Sequence, residues 1–167
     1  FKTLILRPAT VCGYSPRMRF DLTVNILTNH AVNKGKITVF GGAQMRPNIH
    51  IEDMTDVYIK SLQWSDSDID GKIFNVGYHN HSVRDIADIV RDVVGENVEI
   101  ITQSTDDQRS YHISSEKIKE ELNFESRHTL VEAVNDLLIA FQQGLFHNSL
   151  EDEIYFNIKR MQSAKLS

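Results

Sequence analysis

Apolar residues recur along the chain at two spacings, and the spacing separates predicted strands from predicted helices. Continuous apolar or β-branched runs predict short strands at residues 1–6, 37–40, 72–76 and 98–101. Apolar residues three or four positions apart predict helices that begin near residues 20, 52, 83 and 130. Short strands that alternate with helices are typical of an α/β fold.

Three helix ends are marked by residues with capping chemistry. Ser82 precedes one periodic segment, and Thr129 with Glu132 has the spacing of a capping box before another. Gly35 follows the last apolar position of the first helix, where a left-handed residue commonly ends a helix. Ser114 or Ser115 is predicted to start a shorter helix that runs to Leu122.

Two segments have weaker patterns. Residues 43–50 are polar enough to predict a connection, followed by a helix whose inward face carries Met54, Val57, Tyr58 and Leu62. Beyond residue 147, helical spacing of Leu150, Ile154, Ile158 and Met161 predicts a docking helix. We therefore divide the chain into residues 1–147 and an amphipathic helical tail, residues 148–167.

The opening strand predicts that this chain is part of something larger. A buried strand of a parallel sheet needs neighbours on both sides, and few other segments here supply them. We expect the chain to be a piece of a longer protein that begins just before one of its central strands.

Composition narrows the class of protein. The 167 residues are 41% hydrophobic and 25% charged, with a net charge of −5, which disfavours broad binding to nucleic acid or anionic membranes. No apolar run approaches the roughly 20 residues that span a bilayer. The single cysteine cannot form an internal disulfide, so we expect a cytoplasmic protein.

Arginines are the main candidates for ligand binding. Arg7, Arg17, Arg46 and Arg109 fall in predicted loops, and a guanidinium presents paired donors that match two phosphate or carboxylate oxygens. Two loop arginines with a tyrosine two residues after the second suit a diphosphate. Solvated surface arginines have the same pattern, so the residues alone leave both interpretations open.

Other chemistry is missing from the sequence. It contains no G-x-G-x-x-G or phosphate-binding P-loop and no G-x-S-x-G elbow. His79 and His81 lack a nearby third ligand, so we predict no metal site there, and we predict a structural role for His50. Cys12 is expected to be a small buried residue. We therefore predict no catalytic residue and no metal ligand in this chain.

Four motifs in order supply a stronger signal. LRPATVCG at 6–13 resembles the L-R-P-x-x-V-(Y/F)-G segment of the extended short-chain dehydrogenase/reductase family. GGAQMRPNIHIED at 41–53 is similar to that family's G-x-x-x-R-x-x-(I/V)-(H/Y)-(V/I)-x-D box, and FNVG at 74–77 to its next strand. DQRSY at 107–111, with SEK at 115–117, resembles the later D-x-R-x-Y…S-K segment. The resemblance extends over roughly residues 4–143.

The resemblance implies an NAD(P)-dependent nucleotide-sugar epimerase or dehydratase. It further implies that the chain holds the C-terminal part of a Rossmann-like, doubly wound NAD(P)-binding fold and a smaller mixed α/β substrate-binding lobe. The glycine-rich turn for NAD or NADP, and the Tyr-x-x-x-Lys pair that serves hydride transfer, would belong to an N-terminal half outside this chain. The substrate would be a nucleotide-diphosphate sugar, the parent enzyme a homodimer, and this piece alone inactive.

The resemblance also implies roles for individual residues. Those beside the nicotinamide and the sugar would be Pro8, Ala9 and Thr10. Asn25 would face the diphosphate or the sugar.

The nucleotide itself would be held by a second set of residues. The nucleoside pocket would be lined by Thr38 and Phe40. The diphosphate would be bound by Arg46 and Arg109, with Asn48 and Tyr111 beside them.

Several questions stay open at the level of sequence. Cys12, Pro47 and Asn48 depart from the family pattern. The change at Cys12 would alter the nicotinamide edge of the site, and the changes at Pro47 and Asn48 leave the nucleotide base unassigned. Epimerase, 4,6-dehydratase and 4-reductase activities are not separated, nor is NAD from NADP. A non-catalytic sugar-nucleotide-binding module of the same descent, or an assembly protein that docks through its tail, is an alternative.

Overall fold

A computed structural model describes residues 1–106 and 109–165. The chain alternates short strands with helices, in the order β1 (Leu4–Pro8), β2 (Thr10–Cys12), α1 (Thr23–Lys34), β3 (Lys36–Phe40), β4 (Met45–His50), α2 (Ile51–Ser61), α3 (Asp66–Ile69), β5 (Lys72–Val76), β6 (Asn80–Ser82), α4 (Val83–Val94), β7 (Glu99–Gln103), α5 (Glu116–Leu122), α6 (Leu130–Gln142) and, after a 3₁₀ turn at Glu153–Tyr155, α7 (Asn157–Ser163).

The strands pair in three small groups, and parallel pairing dominates. β1 pairs with β5, β3 with β7 and β2 with β4, all in parallel, while β6 adds an antiparallel partner to β4. Parallel strands require crossover connections, which the intervening helices supply. The predicted α/β class is confirmed.

Helices α1 and α4 pack on β3, α6 packs on α1 and α4, and together they form the largest apolar core. Its fully buried members come from all four elements and include Val24, Ile37, Val39, Ile86, Val90 and Val134. A second core lies between the β1–β5 pair, β4, α2 and α5, around Ile49, Val57, Phe74 and Ile118. A third, aromatic cluster surrounds Phe20 and includes Tyr155 and the half-buried Phe141 and Phe146.

The three predicted caps are confirmed. Ser82 with Asp85 and Thr129 with Glu132 form reciprocal capping boxes at the starts of α4 and α6. Gly35 ends α1 with a left-handed backbone, φ 61°, and its N–H donates to the carbonyl of Ala31. These boundaries depend on local chemistry, which explains why the sequence predicts them.

The polar connection predicted at residues 43–50 is wrong in its second part. Met45–His50 form β4, which pairs with β2 on one side and β6 on the other. Its last four residues are buried. The run contains few apolar residues and a proline, so only the neighbouring strands, contributed by distant segments, make it a strand.

Helix α2 is buried over a narrower face than its pattern predicts. Met54 and Val57 are buried, as expected, but Tyr58 is 53% exposed and Leu62 is 88% exposed. The helix itself ends at Ser61. It packs on β2 and β4, so residues in its last turn have no strand beneath them and their inward placement is a wrong prediction.

The C-terminal segment differs from a single amphipathic helix. A 3₁₀ turn and the seven-residue α7 replace it, and Phe156 between them has an extended backbone. The segment is anchored by Tyr155, whereas Ile154, Ile158 and Met161 are exposed. Residues 166 and 167 of the predicted tail lie outside the described residues. The division at residue 147 stays a prediction.

No helix within residues 1–106 and 109–165 is both long and apolar enough to cross a bilayer.

Candidate functional site

Arg46 lies at the centre of the candidate site. It is the second residue of β4, and its Nη1 donates to the carbonyl of Met45 at 3.0 Å and to the carbonyl of Arg109. Its guanidinium carbon lies 5.8 Å from the centroid of the Tyr111 ring, within range of a cation–π contact. Three of the residues predicted to bind the diphosphate therefore meet here.

The loop that carries Arg109 is fastened to the same strand. The N–H of Met45 donates to Oγ of Ser110 at 3.0 Å, and this bond joins the loop to the start of β4. Arg46, Arg109, Ser110 and Tyr111 line a cavity of about 410 Å³. Asp107 and Gln108, the first two residues of the predicted D-x-R-x-Y motif, lie outside the described residues. Two guanidinium groups, a hydroxyl and an aromatic ring suit a phosphate-bearing ligand.

A second cavity, of about 270 Å³, adjoins the first and shares Arg46 with it. Thr38 and Phe40 line it, as predicted for one pocket, together with Gln44, Val83 and residues of α1. Phe40 is exposed at the end of β3, so its ring is available to a planar ligand. The structure thus places the predicted nucleoside residues next to the predicted diphosphate residues.

The turn after β3 sets the shape of this second cavity. The N–H of Gly41 donates to the carbonyl of Gln103, and the N–H of Gly42 donates to Oε1 of Gln44 at 2.7 Å. Gly41 has a φ of 76°, and a Cβ there would lie 2.7 Å from Cγ2 of Thr105. Only glycine fits this close, left-handed turn, so residue 41 adds no side chain beside Phe40.

His30 also lines this cavity, although no motif in the sequence points to it. It projects from α1 into the lining shared with Thr38. Burial, and to a smaller extent the positive charge of Lys34, lower the pKa of His30 from its ordinary value. At neutral pH the ring is therefore uncharged and offers one donor and one acceptor to a ligand. A lone histidine without a motif around it carries no such information in the sequence.

Asn25 is not brought into either cavity. It is 3% exposed, its Oδ1 accepts from the N–H of Gly13 at 3.3 Å, and its Nδ2 donates to the carbonyl of Arg19 at 3.0 Å. Both ends of the amide bind the loop between β2 and α1. This geometry gives the side chain a structural task, and its predicted contact with the diphosphate or sugar stays a prediction.

Asn48 lies beneath the site and does not line it. The side chain is completely buried, and its Nδ2 donates to the carbonyl of Arg46 at 2.8 Å. Its Oδ1 has no hydrogen-bond partner among the described residues. Asn48 therefore supports the backbone of the arginine, and a direct contact with the nucleotide stays a prediction.

The predicted cofactor residues lie at the carboxyl end of β1 and the start of β2. Ala9 is buried, and its N–H donates to the carbonyl of Val76 at 2.7 Å, while Pro8 and Thr10 keep some accessible surface. Thr10 is the register partner of Asn48 in the parallel β2–β4 pair. Carboxyl ends of parallel strands are where α/β folds bind nucleotides. The sequence has no phosphate-binding glycine turn, and the contact of Pro8, Ala9 and Thr10 with a cofactor stays a prediction.

Two residues of the 41–53 box have structural roles, of which the sequence predicted that of His50 and missed that of Asp53. Asp53 is buried, and its two carboxylate oxygens each accept a backbone N–H at 3.0 Å, from Arg127 and from His128. His50 caps α2 by accepting the N–H of Glu52, as a structural histidine does. Cys12 is buried as predicted, and burial raises the pKa of its thiol to about 12.

Comparison with known proteins gives one family and consistent relatives. Residues 1–77 match the model of the NAD dependent epimerase/dehydratase family. The chain is 28% identical over 136 residues to a UDP-glucose 4-epimerase of Corynebacterium glutamicum, covering 74% of this chain and 40% of that protein. The resemblance predicted from the motifs is confirmed.

Solved structures show the same fold. A UDP-glucose 4-epimerase of Thermotoga maritima matches 87% of this chain and 48% of its own, with a TM-score of 0.73 at 22% identity. A dTDP-glucose 4,6-dehydratase of Bacillus anthracis, solved with NAD, matches 89% and 47%, with a TM-score of 0.71 at 16% identity. The chain spans about half the length of these relatives and has part of their fold, which confirms the predicted fold class.

Proposed function

We propose that this chain, a relative of the NAD-dependent epimerases and dehydratases, is the substrate-binding portion of an enzyme that acts on a nucleotide-diphosphate sugar. The observation that carries the proposal is the position of Arg46, which borders both cavities. A diphosphate in the cavity of Arg46 and Arg109 would have the cavity of Thr38 and Phe40 next to it for the nucleoside. A sugar nucleotide has this order of parts, with its charge next to the nucleoside and the sugar beyond.

The nucleoside would occupy the cavity of Thr38 and Phe40. Phe40 offers a ring for stacking, and the hydroxyl of Thr38 offers a hydrogen bond to the base or the ribose. The relatives named above act on UDP-glucose and dTDP-glucose by their names. Both carry a pyrimidine base, so we expect a pyrimidine nucleoside in this cavity.

The diphosphate would be bound by Arg46 and Arg109. Their guanidinium groups belong to two different segments, β4 and the loop fastened to it by Ser110. Binding would therefore hold the loop against the strand as well as neutralise the ligand. Charge-assisted hydrogen bonds of this kind contribute about 1.5–3 kcal/mol each.

The chemistry of the parent enzyme would depend on a cofactor and on residues outside this chain. NAD(P), when bound, accepts a hydride from the sugar. Pro8 and Thr10 would border the nicotinamide, and the Tyr–Lys acid/base pair would come from an N-terminal half. We infer a cytoplasmic homodimer for the parent, and no turnover by the 167-residue chain alone.

Calorimetric titration of the chain with UDP-glucose, UDP, uridine and glucose 1-phosphate tests the proposal. We expect UDP and UDP-glucose to bind, and uridine and glucose 1-phosphate to bind far more weakly, because each lacks the diphosphate. Arg46→Ala and Arg109→Ala should each weaken UDP-glucose binding at least about tenfold. Arg17→Ala, an exposed arginine away from both cavities, is the matched control.

The same variants distinguish the alternatives. Equal affinity of wild type, Arg46→Ala and Arg109→Ala would contradict the proposed site. Turnover of UDP-glucose by the isolated chain with added NAD would contradict the placement of the acid/base pair outside it. If a longer parent bound UDP-glucose and still converted none of it, the chain would instead belong to a non-catalytic binding module.

A further inference from the structure

Two histidines and two carboxylates from separate segments converge where α2 begins. His50 ends β4, and Glu52 lies in the first turn of α2. His128 precedes α6 and Asp136 lies within it. The rings of His50 and His128 stack with their centroids 4.9 Å apart. This cluster lies outside both cavities of the candidate site.

His50 is the buried member of the cluster. Its side chain is 1% exposed, and its Nδ1 accepts the N–H of Glu52 at 3.1 Å. Its Nε2 is enclosed and makes no well-directed hydrogen bond with the described residues, although it lies 3.2 Å from Oδ2 of Asp136. A buried ring nitrogen therefore points at a carboxylate without a proper bond to it.

His128 and Glu52 are separated by about the distance expected of two ligands of one metal ion. Nε2 of His128 is 3.4 Å from Oε2 of Glu52, and a ligand atom from each of His50, Glu52 and His128 lies within 4.8 Å of the others. Neighbouring ligands of a tetrahedral zinc ion, each about 2.0–2.1 Å from the metal, are roughly 3.3 Å apart. The separation between His128 and Glu52 already has this size, and side-chain rotations that bring these two residues closer to His50 would complete the site.

We propose that this cluster binds Zn²⁺ or another divalent transition-metal ion with similar ligand preferences. The ligands would be Nε2 of His50, His128 and the carboxylate of Glu52, the three residues whose ligand atoms lie within 4.8 Å of one another, with water as the fourth ligand. The carboxylate of Asp136, 3.2 Å from Nε2 of His50, would add negative charge beside the ion. A ligand set of imidazole and carboxylate suits zinc, whereas magnesium and calcium prefer oxygen ligands. The bound ion would join the start of α2 to α6, two helices that contribute to different apolar cores.

The proton of His50 must move for the metal to bind. Since Nδ1 accepts a hydrogen bond, the neutral ring carries its proton on Nε2. On binding, the Nε2 lone pair goes to the metal and the proton passes to Nδ1. The Nδ1–H of His50 and the N–H of Glu52 would then face each other as two donors, so the ring must turn away from the start of α2, and the N–H of Glu52, an exposed residue, would take water as its partner.

Metal titration of the chelator-treated chain tests the proposal. We expect one equivalent of Zn²⁺ to bind and raise the melting temperature, and Co²⁺ to give the strong visible absorption of a tetrahedral site. His128→Ala and Glu52→Gln should each weaken Zn²⁺ binding by about tenfold or more. Both side chains are partly exposed, so the metal-free melting temperatures of these variants should remain close to wild type.

Two histidine variants are the controls. His147→Ala removes an exposed histidine that is not a member of the cluster, and His79→Ala disrupts the surface H-x-H pair. Unchanged Zn²⁺ affinity in both, with loss in His128→Ala, would support the site. Failure to bind an equivalent of Zn²⁺, loss of binding in His79→Ala, or wild-type affinity in His128→Ala would overturn it.

Discussion

Two groups of polar side chains in this fold have different environments. The interior group, Asn25, Asn29 and Asp53, is at most 3% exposed. Each of its members binds backbone atoms of a loop or a distant segment. The cleft group, Arg46, Arg109 and Tyr111, lines a cavity at the surface instead. The interior group comes from helices α1 and α2, whereas the cleft group comes from segments that the sequence marks as polar.

The difference separates the stability of the fold from the binding of a ligand. Interior side chains replace water around buried backbone groups, so their loss leaves unpaired donors or acceptors inside the protein. Cleft side chains remain partly hydrated, so their loss costs the fold little. Substitutions in the two groups should therefore change different measurements.

Asp53→Ala is expected to have the largest effect. It leaves the N–H groups of Arg127 and His128 without a carboxylate, and we expect the free energy of unfolding to fall by about 3 kcal/mol. Urea denaturation measures this. Asp56→Ala on the same helix removes only an exposed pair with Lys60 and should cost about 0.5 kcal/mol or less. Equal losses in both variants would contradict the interior role of Asp53.

Asn25→Ala tests where the boundary between the groups lies. The structure predicts a loss of about 2 kcal/mol in the free energy of unfolding, because Gly13 and Arg19 lose their bonds to the amide. The family resemblance predicts weaker UDP-glucose binding instead. Measuring both quantities decides between them: unchanged stability with lower affinity would move Asn25 into the cleft group.

Arg109→Lys should affect binding alone. A lysine keeps the charge but loses the paired donors of the guanidinium, so we expect UDP-glucose affinity to fall by about tenfold. The free energy of unfolding should stay within about 0.5 kcal/mol of wild type. Calorimetry and urea denaturation of the same preparation measure the two quantities. A large loss of stability would place Arg109 with the interior group.

The same contrast explains which features the sequence could predict. Caps at Ser82 and Thr129 depend on residues three positions apart, and both were predicted. Strand β4 depends on partners far along the chain, and it was missed. The motif around Arg46 located the cleft, but the same motif contains Asp53, whose bonds to the 127–128 backbone no local pattern reveals.

The capping box of α4 is a third, exposed environment, in which the loss of a hydrogen bond should lower the free energy of unfolding least. Hydrogen bonds from Ser82 hold the pKa of Asp85 below its ordinary value. A carboxyl group with a lower pKa in the folded state contributes stability above its unfolded pKa, and that contribution disappears as the pH falls through the folded value.

We therefore expect wild type to lose a few tenths of a kcal/mol relative to Asp85→Asn between about pH 5 and about pH 3, since the group is solvent-exposed. Urea denaturation across this range measures the difference. Asp92→Asn, an exposed residue of the same helix, controls for the general effect of removing one carboxylate. A pH-dependent difference of several kcal/mol would show that the bond behaves like those of the interior group, and that exposure does not separate the environments.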